Sequence, residues 1–212
     1  MKQLTFWFDP VSPFAYLAFE HLPQALEGLS YSVRYRPVLF AGMLKHWGQK
    51  GPAEIEPKRA WTFRHVHWLA HRHGFELQTP AQHPFNPLAL LRLLLACADD
   101  GVAPNRLACE RVLRHVWHGG HDANDPDRLA ALTQALAPAG DPNGAAVKQA
   151  LKAATDEAIA LGLFGVPTIE VDGRLFWGID SLEMVAAHLR GDAWFEGSAW
   201  EQAGAPRAGI TR

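Results

Sequence analysis

Phe6-Trp7-Phe8-Asp9-Pro10-Val11-Ser12-Pro13-Phe14-Ala15-Tyr16 is the stretch that decides how this chain folds. Apolar Leu4, Phe6 and Phe8, with Thr5 and Trp7 between them, read as a buried strand. Asp9-Pro10 stops it, and Ser12-Pro13 opens a helix with a hydroxyl at the N-cap followed by proline at the first helical position. Ser12 therefore sits where a strand hands over to a helix, beside unpaired backbone N–H groups and the positive helix end. Three roles are open to it: a plain cap, a nucleophile, or a hydrogen-bond donor to a bound anion. The nucleophile reading needs a base, and the sequence offers neither a Gly-x-Ser-x-Gly elbow nor a neighbouring histidine.

About 150 residues downstream stands Gly165-Val166-Pro167-Thr168-Ile169-Glu170-Val171-Asp172-Gly173. A proline directly before a strand, then an Asp-Gly turn, predicts the first arm of a hairpin whose second strand lies near Leu175–Trp177. Between the two stretches, Tyr31, Val33 and Tyr35 alternate with Ser32, Arg34 and Arg36 and predict a second strand with an exposed or edge face. Strand, helix and strand should cross over right-handed into a parallel pair.

From Phe40 to Pro57 the text is loop-like, broken by Gly42, Gly48, Gly51 and Pro52. Helices are predicted from Pro57 to His73, from a cap at Asn86 to Gly101, over 104–118, over 126–136 and over 144–161, with a last one from Ser181 to Leu189. Asp180-Ser181-Leu182-Glu183 has the form of a capping box with Asp at the cap. This alternation of elements is an α/β pattern with a run of helices in its middle.

The net charge of −2, with 20% of residues charged, argues against nucleic acid or an anionic membrane surface as main partner. No window approaches the roughly 18 uninterrupted apolar residues of a membrane span, and no charged segment leads into an apolar one at the start. Cys97 and Cys109 read as small buried residues and nothing asks for a bond between them. A cytoplasmic, reducing setting is the default expectation. Among the 11 histidines, His67 and His71 or His118 and His121 have helical spacing, yet neither pair forms His-Glu-x-x-His, so no metal site is expected.

Both stretches together resemble the thioredoxin superfamily, in the branch with an inserted helical domain. Within it the likeness is to kappa-class glutathione transferases and 2-hydroxychromene-2-carboxylate isomerases. It is carried in order by Asp9 to Tyr16, Tyr35-Arg36-Pro37-Val38-Leu39, Pro57-Lys58-Arg59, Gly165-Val166-Pro167-Thr168 and Phe176-Trp177-Gly178-Ile179-Asp180. A thioredoxin-type redox protein keeps its reactive cysteine where this chain has Ser12, and no Cys-x-x-Cys occurs, which excludes dithiol chemistry.

The resemblance implies a thioredoxin-like frame over 1–41 and 141–191, an inserted all-helical domain over 42–140 and a tail over 192–212. It implies glutathione as cofactor, with Ser12 as the catalytic residue, its hydroxyl donating a hydrogen bond to the glutathione thiolate, and Val166, ahead of a cis Pro167, pairing with the cysteinyl backbone. It also implies Asp180 facing the γ-glutamyl ammonium. Sequence frequency alone would make the Val166–Pro167 bond trans, since only about 5–6% of such bonds are cis. Ser181 stands where relatives often carry arginine, and Gln49 and Arg59 (or Lys58) stand loosely where relatives have an asparagine and a base. Phe14, Trp47 and Trp61 are candidate walls for a small aromatic substrate. The implied reaction is reversible thiolate addition to a conjugated carbonyl compound, an isomerisation of the kind used in aromatic catabolism. The alternatives are a transferase that keeps the conjugate and a silent thioredoxin-like binding module. Homodimers are a family trait.

Overall fold

The first strand places its residues by alternation. Leu4, Phe6 and Phe8 point to one face of the sheet and are fully buried, while Trp7 points to the other and is buried as well. A strand buried on both faces lies inside a sheet, and β1 (Lys2–Phe8) pairs in parallel with β2 (Tyr31–Pro37) and antiparallel with β3 (Thr168–Val171). The computed structural model describes residues 1–205. Its four-stranded sheet has the order β2-β1-β3-β4, with β4 at Arg174–Trp177. The β3–β4 turn places Asp172 and Gly173 at φ 51° and 74°, the left-handed pair that a two-residue hairpin of matching twist requires.

On the first face, α1 (Pro13–Ala25) and α8 (Leu182–Leu189) pack over Leu4, Phe6 and Phe8. On the second, α2 (Phe40–Trp47) and α7 (Ala145–Ala160) close over Trp7 through Met43, Ala154 and Ala158. Between them in sequence come α3 (Glu56–His73), α4 (Leu88–Ala96), α5 (Arg106–Trp117) and α6 (Pro126–Leu136). The largest core runs without a break from the sheet and α1 into α4 and α5, through Leu90, Leu94, Leu113 and Trp117.

Four local expectations are corrected. The stretch after Phe40 is the helix α2 rather than loop, followed by a 3-10 turn at Pro52–Glu54. Gly42 reads as a breaker, yet a Cβ there would meet the Thr155 methyl group at 3.2 Å, so the glycine permits α2 to lie against α7. The helix expected to run to Gly101 ends at Ala96; Asn86 accepts from the Leu88 N–H at 3.1 Å but precedes the cap, which is Pro87. Arg36 belongs to an edge strand as read, but its side chain is buried, paired with Glu157 and laid over the Trp7 ring at 5.3 Å. Asp180 forms no capping box: it lies in a 3-10 turn, Ile179–Ser181, and α8 starts after Ser181 with no side-chain cap.

The tail carries α9 (Ala193–Glu196) and α10 (Ala199–Ala203), which bring Phe195 and Trp200 against Phe176. Residues 206–212 of the expected tail lie outside the described residues. Both cysteine thiols are free. Among the described residues no helix is long and apolar enough to cross a membrane.

Candidate active site

The turn from β1 to α1 is held at every polar group that could move it. The Asp9 carboxylate, fully buried, accepts from the Val11 N–H at 3.0 Å and the Phe40 N–H at 2.9 Å, tying the turn to the start of α2. Burial, only partly offset by those two bonds, pushes its pKa from 3.8 up to about 7. The Trp117 indole donates to the Pro10 carbonyl at 3.0 Å. His83 donates from Nε2 to the Val11 carbonyl at 2.8 Å, with its ring among Phe63, Phe85 and Trp117. That bond fixes the tautomer, so Nδ1 is an acceptor, buried and without a partner. Burial lowers the His83 pKa, and the Arg59 charge lowers it further, which keeps the ring neutral.

Ser12 is the N-cap of α1, and its Oγ accepts from the Ala15 N–H at 3.2 Å. The same hydroxyl donates across to the Val166 carbonyl at 3.2 Å, linking the helix start to the loop before β3. The Val166–Pro167 peptide bond is cis, as the resemblance implied. Its approach is packed: a Cβ on Gly165 would lie 2.5 Å from Trp177 Nε1, so only glycine lets the indole close over the loop. Gly178, at φ 93°, lets the Asp180 carboxylate fold back above it.

From this point a cleft of about 870 Å³ opens between α3 on one side and α8 on the other, with α1 as its base. Phe14, Val166, Pro167 and Asp180 line it, as does His65, whose ring meets Phe14 edge-on with centroids 5.8 Å apart. Trp61 stacks on His65 at 6.4 Å and is 65% exposed, placing it outside the cleft as a continuation of that wall. Trp47 does not line the cleft; its indole donates to the Leu163 carbonyl at 2.8 Å and so anchors the approach to Val166. Gln49 is exposed beyond the end of α2, with its N–H on the Leu44 carbonyl. Arg59 is exposed near the start of α3, close enough for its charge to act on His83. Ser181 is buried, its hydroxyl donating to the Gly178 carbonyl at 2.8 Å.

Residues 3–190 match the model of the DSBA-like thioredoxin domain. The chain belongs to the DSBA-like thioredoxin family. Within that family it is similar to human glutathione S-transferase kappa 1, at 27% identity with 91% of this chain and 92% of the relative covered. The 2-hydroxychromene-2-carboxylate isomerase of Sphingobium xenophagum is 26% identical over 89% of this chain and 98% of its own. A solved 2-hydroxychromene-2-carboxylate isomerase structure superposes with a TM-score of 0.78 at 21% identity, covering 92% of this chain and 97% of the other, which supports the shared fold.

Set in this DSBA-like frame, the helix-start position holds a serine hydroxyl, which can donate to an anion or accept from an N–H but cannot form a disulfide. Sequence reasoning missed Asp9, His65 and Trp117 as site-forming groups, and it put His83 in a loop that could roof the site without fixing its role. His83 meets Val11 across 72 positions, and no local pattern announces such a contact.

Proposed function

We propose that the chain is a glutathione-dependent isomerase acting on an aromatic, conjugated carbonyl compound. The observation that carries this reading is the bond from Ser12 Oγ to the Val166 carbonyl. With glutathione absent, each group satisfies the other. With glutathione in place, the cysteinyl N–H takes over the Val166 carbonyl, as an added strand would, and the Ser12 hydroxyl turns to the sulfur. The exchange leaves no buried polar group unpaired, so it costs little, while the thiolate gains an oriented donor and the positive end of α1. A cysteine thiol has a pKa near 8.5 in the free state, and one or two units of depression make it largely thiolate at neutral pH. Asp180 is exposed and lines the cleft, and on this reading it would receive the γ-glutamyl ammonium.

In this mechanism the thiolate sulfur bonds to the conjugated carbon and the displaced electron pair moves to the carbonyl oxygen as an enolate. The former double bond becomes single and rotates. The enolate then collapses, the carbon–sulfur bond breaks, and glutathione leaves unchanged. Arg59 or Lys58 would face the enolate, and Phe14, with Trp61 continuing the wall outside the cleft, would present the aromatic surface. Ser12 and the helix end stabilise the same anion as attacking and as leaving group, which favours reversible addition over a retained conjugate.

The test uses catalytic glutathione with excess 2-hydroxychromene-2-carboxylate or a cis-benzylidenepyruvate, following the ultraviolet spectrum together with free thiol. Many turnovers at constant thiol are expected. Thiol falling in step with substrate would make the protein a transferase, and no turnover with no glutathione binding would make it a silent module.

A further inference from the structure

The cleft is longer than the glutathione reading fills. Asp180, where the γ-glutamyl end stops on that reading, lies at the start of α8, but the cavity continues along α8 to Arg190 and along α3 to Arg72 and His73. At 1.5 Å per residue, Arg190 lies about 12 Å beyond Leu182, the first residue of α8, and Arg72 lies about 10 Å beyond His65. Small residues of α1 and α8, Ala25 and Ala186, line this part of the cavity.

Both signs of charge line this space: Asp180 sits at its near end, Glu183 is close enough to act on His21, and Arg72 and Arg190 sit at its far end. Neither Arg72 nor Arg190 has an acidic partner within ion-pair distance among the described residues. Arg72 lies over the Trp68 ring at 5.3 Å, which uses the face of its guanidinium and leaves the N–H edge free. At the same end His21 and His73 stack with centroids 4.2 Å apart, and His21 Nδ1 is buried with no hydrogen-bond partner. Between the ends, the α3 side offers Phe14, His65 and Leu69, a surface for flat rings.

We propose that the far end of the cleft is an anion-recognition subsite, with Arg72 and Arg190 as its cations, for an elongated aromatic carboxylate whose rings lie along Phe14, His65 and Leu69. This rests on the glutathione reading, deepens it, and assigns the substrate class: a conjugated acid of about two linked rings or more, its charged tip remote from the reacting carbon. Glutathione occupies the Val166–Asp180 side and the acid occupies the α3 side, meeting by Val166, whose carbonyl accepts from the Ser12 hydroxyl.

The test needs no turnover. Biphenyl-4-carboxylate, biphenyl-4-carboxamide and benzoate are titrated calorimetrically into the full chain without glutathione, and glutathione is titrated separately. Biphenyl-4-carboxylate is expected to bind at least tenfold more tightly than either the amide or benzoate. The double variant R72A/R190A, both residues being exposed, is expected to remove the preference for acid over amide while leaving glutathione binding within twofold. Equal binding of acid and amide, or a preference surviving in the double variant, would overturn the subsite. An acid preference in a protein that does not bind glutathione would leave the subsite standing and remove the proposed isomerase.

Discussion

The Asp9–Ser12 turn, a floor that lies outside the cleft lining and bonds Val166 within it, and the α3 wall of the cleft are built by opposite means. In the turn from Asp9 to Ser12 the side-chain oxygens and the Pro10 and Val11 carbonyls all have partners, drawn from α2, α5, the His83 loop and the Val166 loop. Along α3 only Val66 and Ala70 are buried, and Trp61 and Trp68 are 65% and 50% exposed, stacked on His65, with Arg72 over the Trp68 ring. A floor fixed from four directions suits chemistry that depends on where one hydroxyl points. A wall held by few contacts suits choice among substrates, because it can change without disturbing the fold.

The sharpest break of that contrast is Ser12→Ala. It should lower the glutathione-dependent isomerisation rate by about tenfold to a thousandfold, the loss of one oriented donor. Thermal stability should fall by about 1 kcal/mol, the cost of an N-cap. Single-turnover kinetics read the first and calorimetry the second; an unchanged rate would reduce Ser12 to a cap.

The next effect is a pH dependence of stability set by the floor. Asp9 has a folded pKa raised from 3.8 to about 7, so folding holds a proton that the unfolded chain has released above pH 3.8. Stability from this group is full below that value and is lost as pH rises through about 7, amounting to about 1.4 kcal/mol between pH 6 and pH 8. The opposite slope comes from His21, His83 and His115, whose pKa values burial lowers from 6.5. Their contribution is present above 6.5 and is lost as pH falls below it. Denaturant melts should therefore peak near pH 6.5–7. Asp9→Asn keeps an acceptor for one of the two N–H groups, lowers stability at every pH, and should flatten the alkaline limb. A limb as steep in the variant as in the parent would assign that slope elsewhere.

Asp180→Asn sits between the two regions. Its carboxylate caps no helix, so melting temperature should barely move, while glutathione affinity weakens several-fold on loss of the charge facing the ammonium. The smallest change belongs to the wall: Trp61→Ala should alter stability by less than about 0.5 kcal/mol and kcat/KM by a few-fold at most. A large loss of stability in that variant would mean that the wall is structural and would erase the contrast.

What could be read from sequence followed how local the determinant was. Phe6 to Tyr16 announces strand, stop and cap within a dozen positions, and Asp172-Gly173 announces its own turn, so the frame and Ser12 were legible. Gly42 misled because its role is tertiary: it makes room for Thr155, more than a hundred positions away. Asp180 misled for a different reason, since a capping-box pattern does not distinguish a helix start from the 3-10 turn that precedes one. His83 and Trp117 carry no local signature; they matter because the fold delivers their N–H groups to two carbonyls of one turn.

The unbroken core has a consequence for how this chain could be altered by recombination. Trp117, at the end of α5, is fully buried in the same cluster as Phe6 and Phe8 and bonds the Pro10 carbonyl beside Ser12. The helices between β2 and β3 therefore cannot serve as an interchangeable cassette: removing them would strip the first strand of its cover and release the turn that holds the active hydroxyl. The chain should melt in one step, and a protease nick between α5 and α6 should leave both fragments associated.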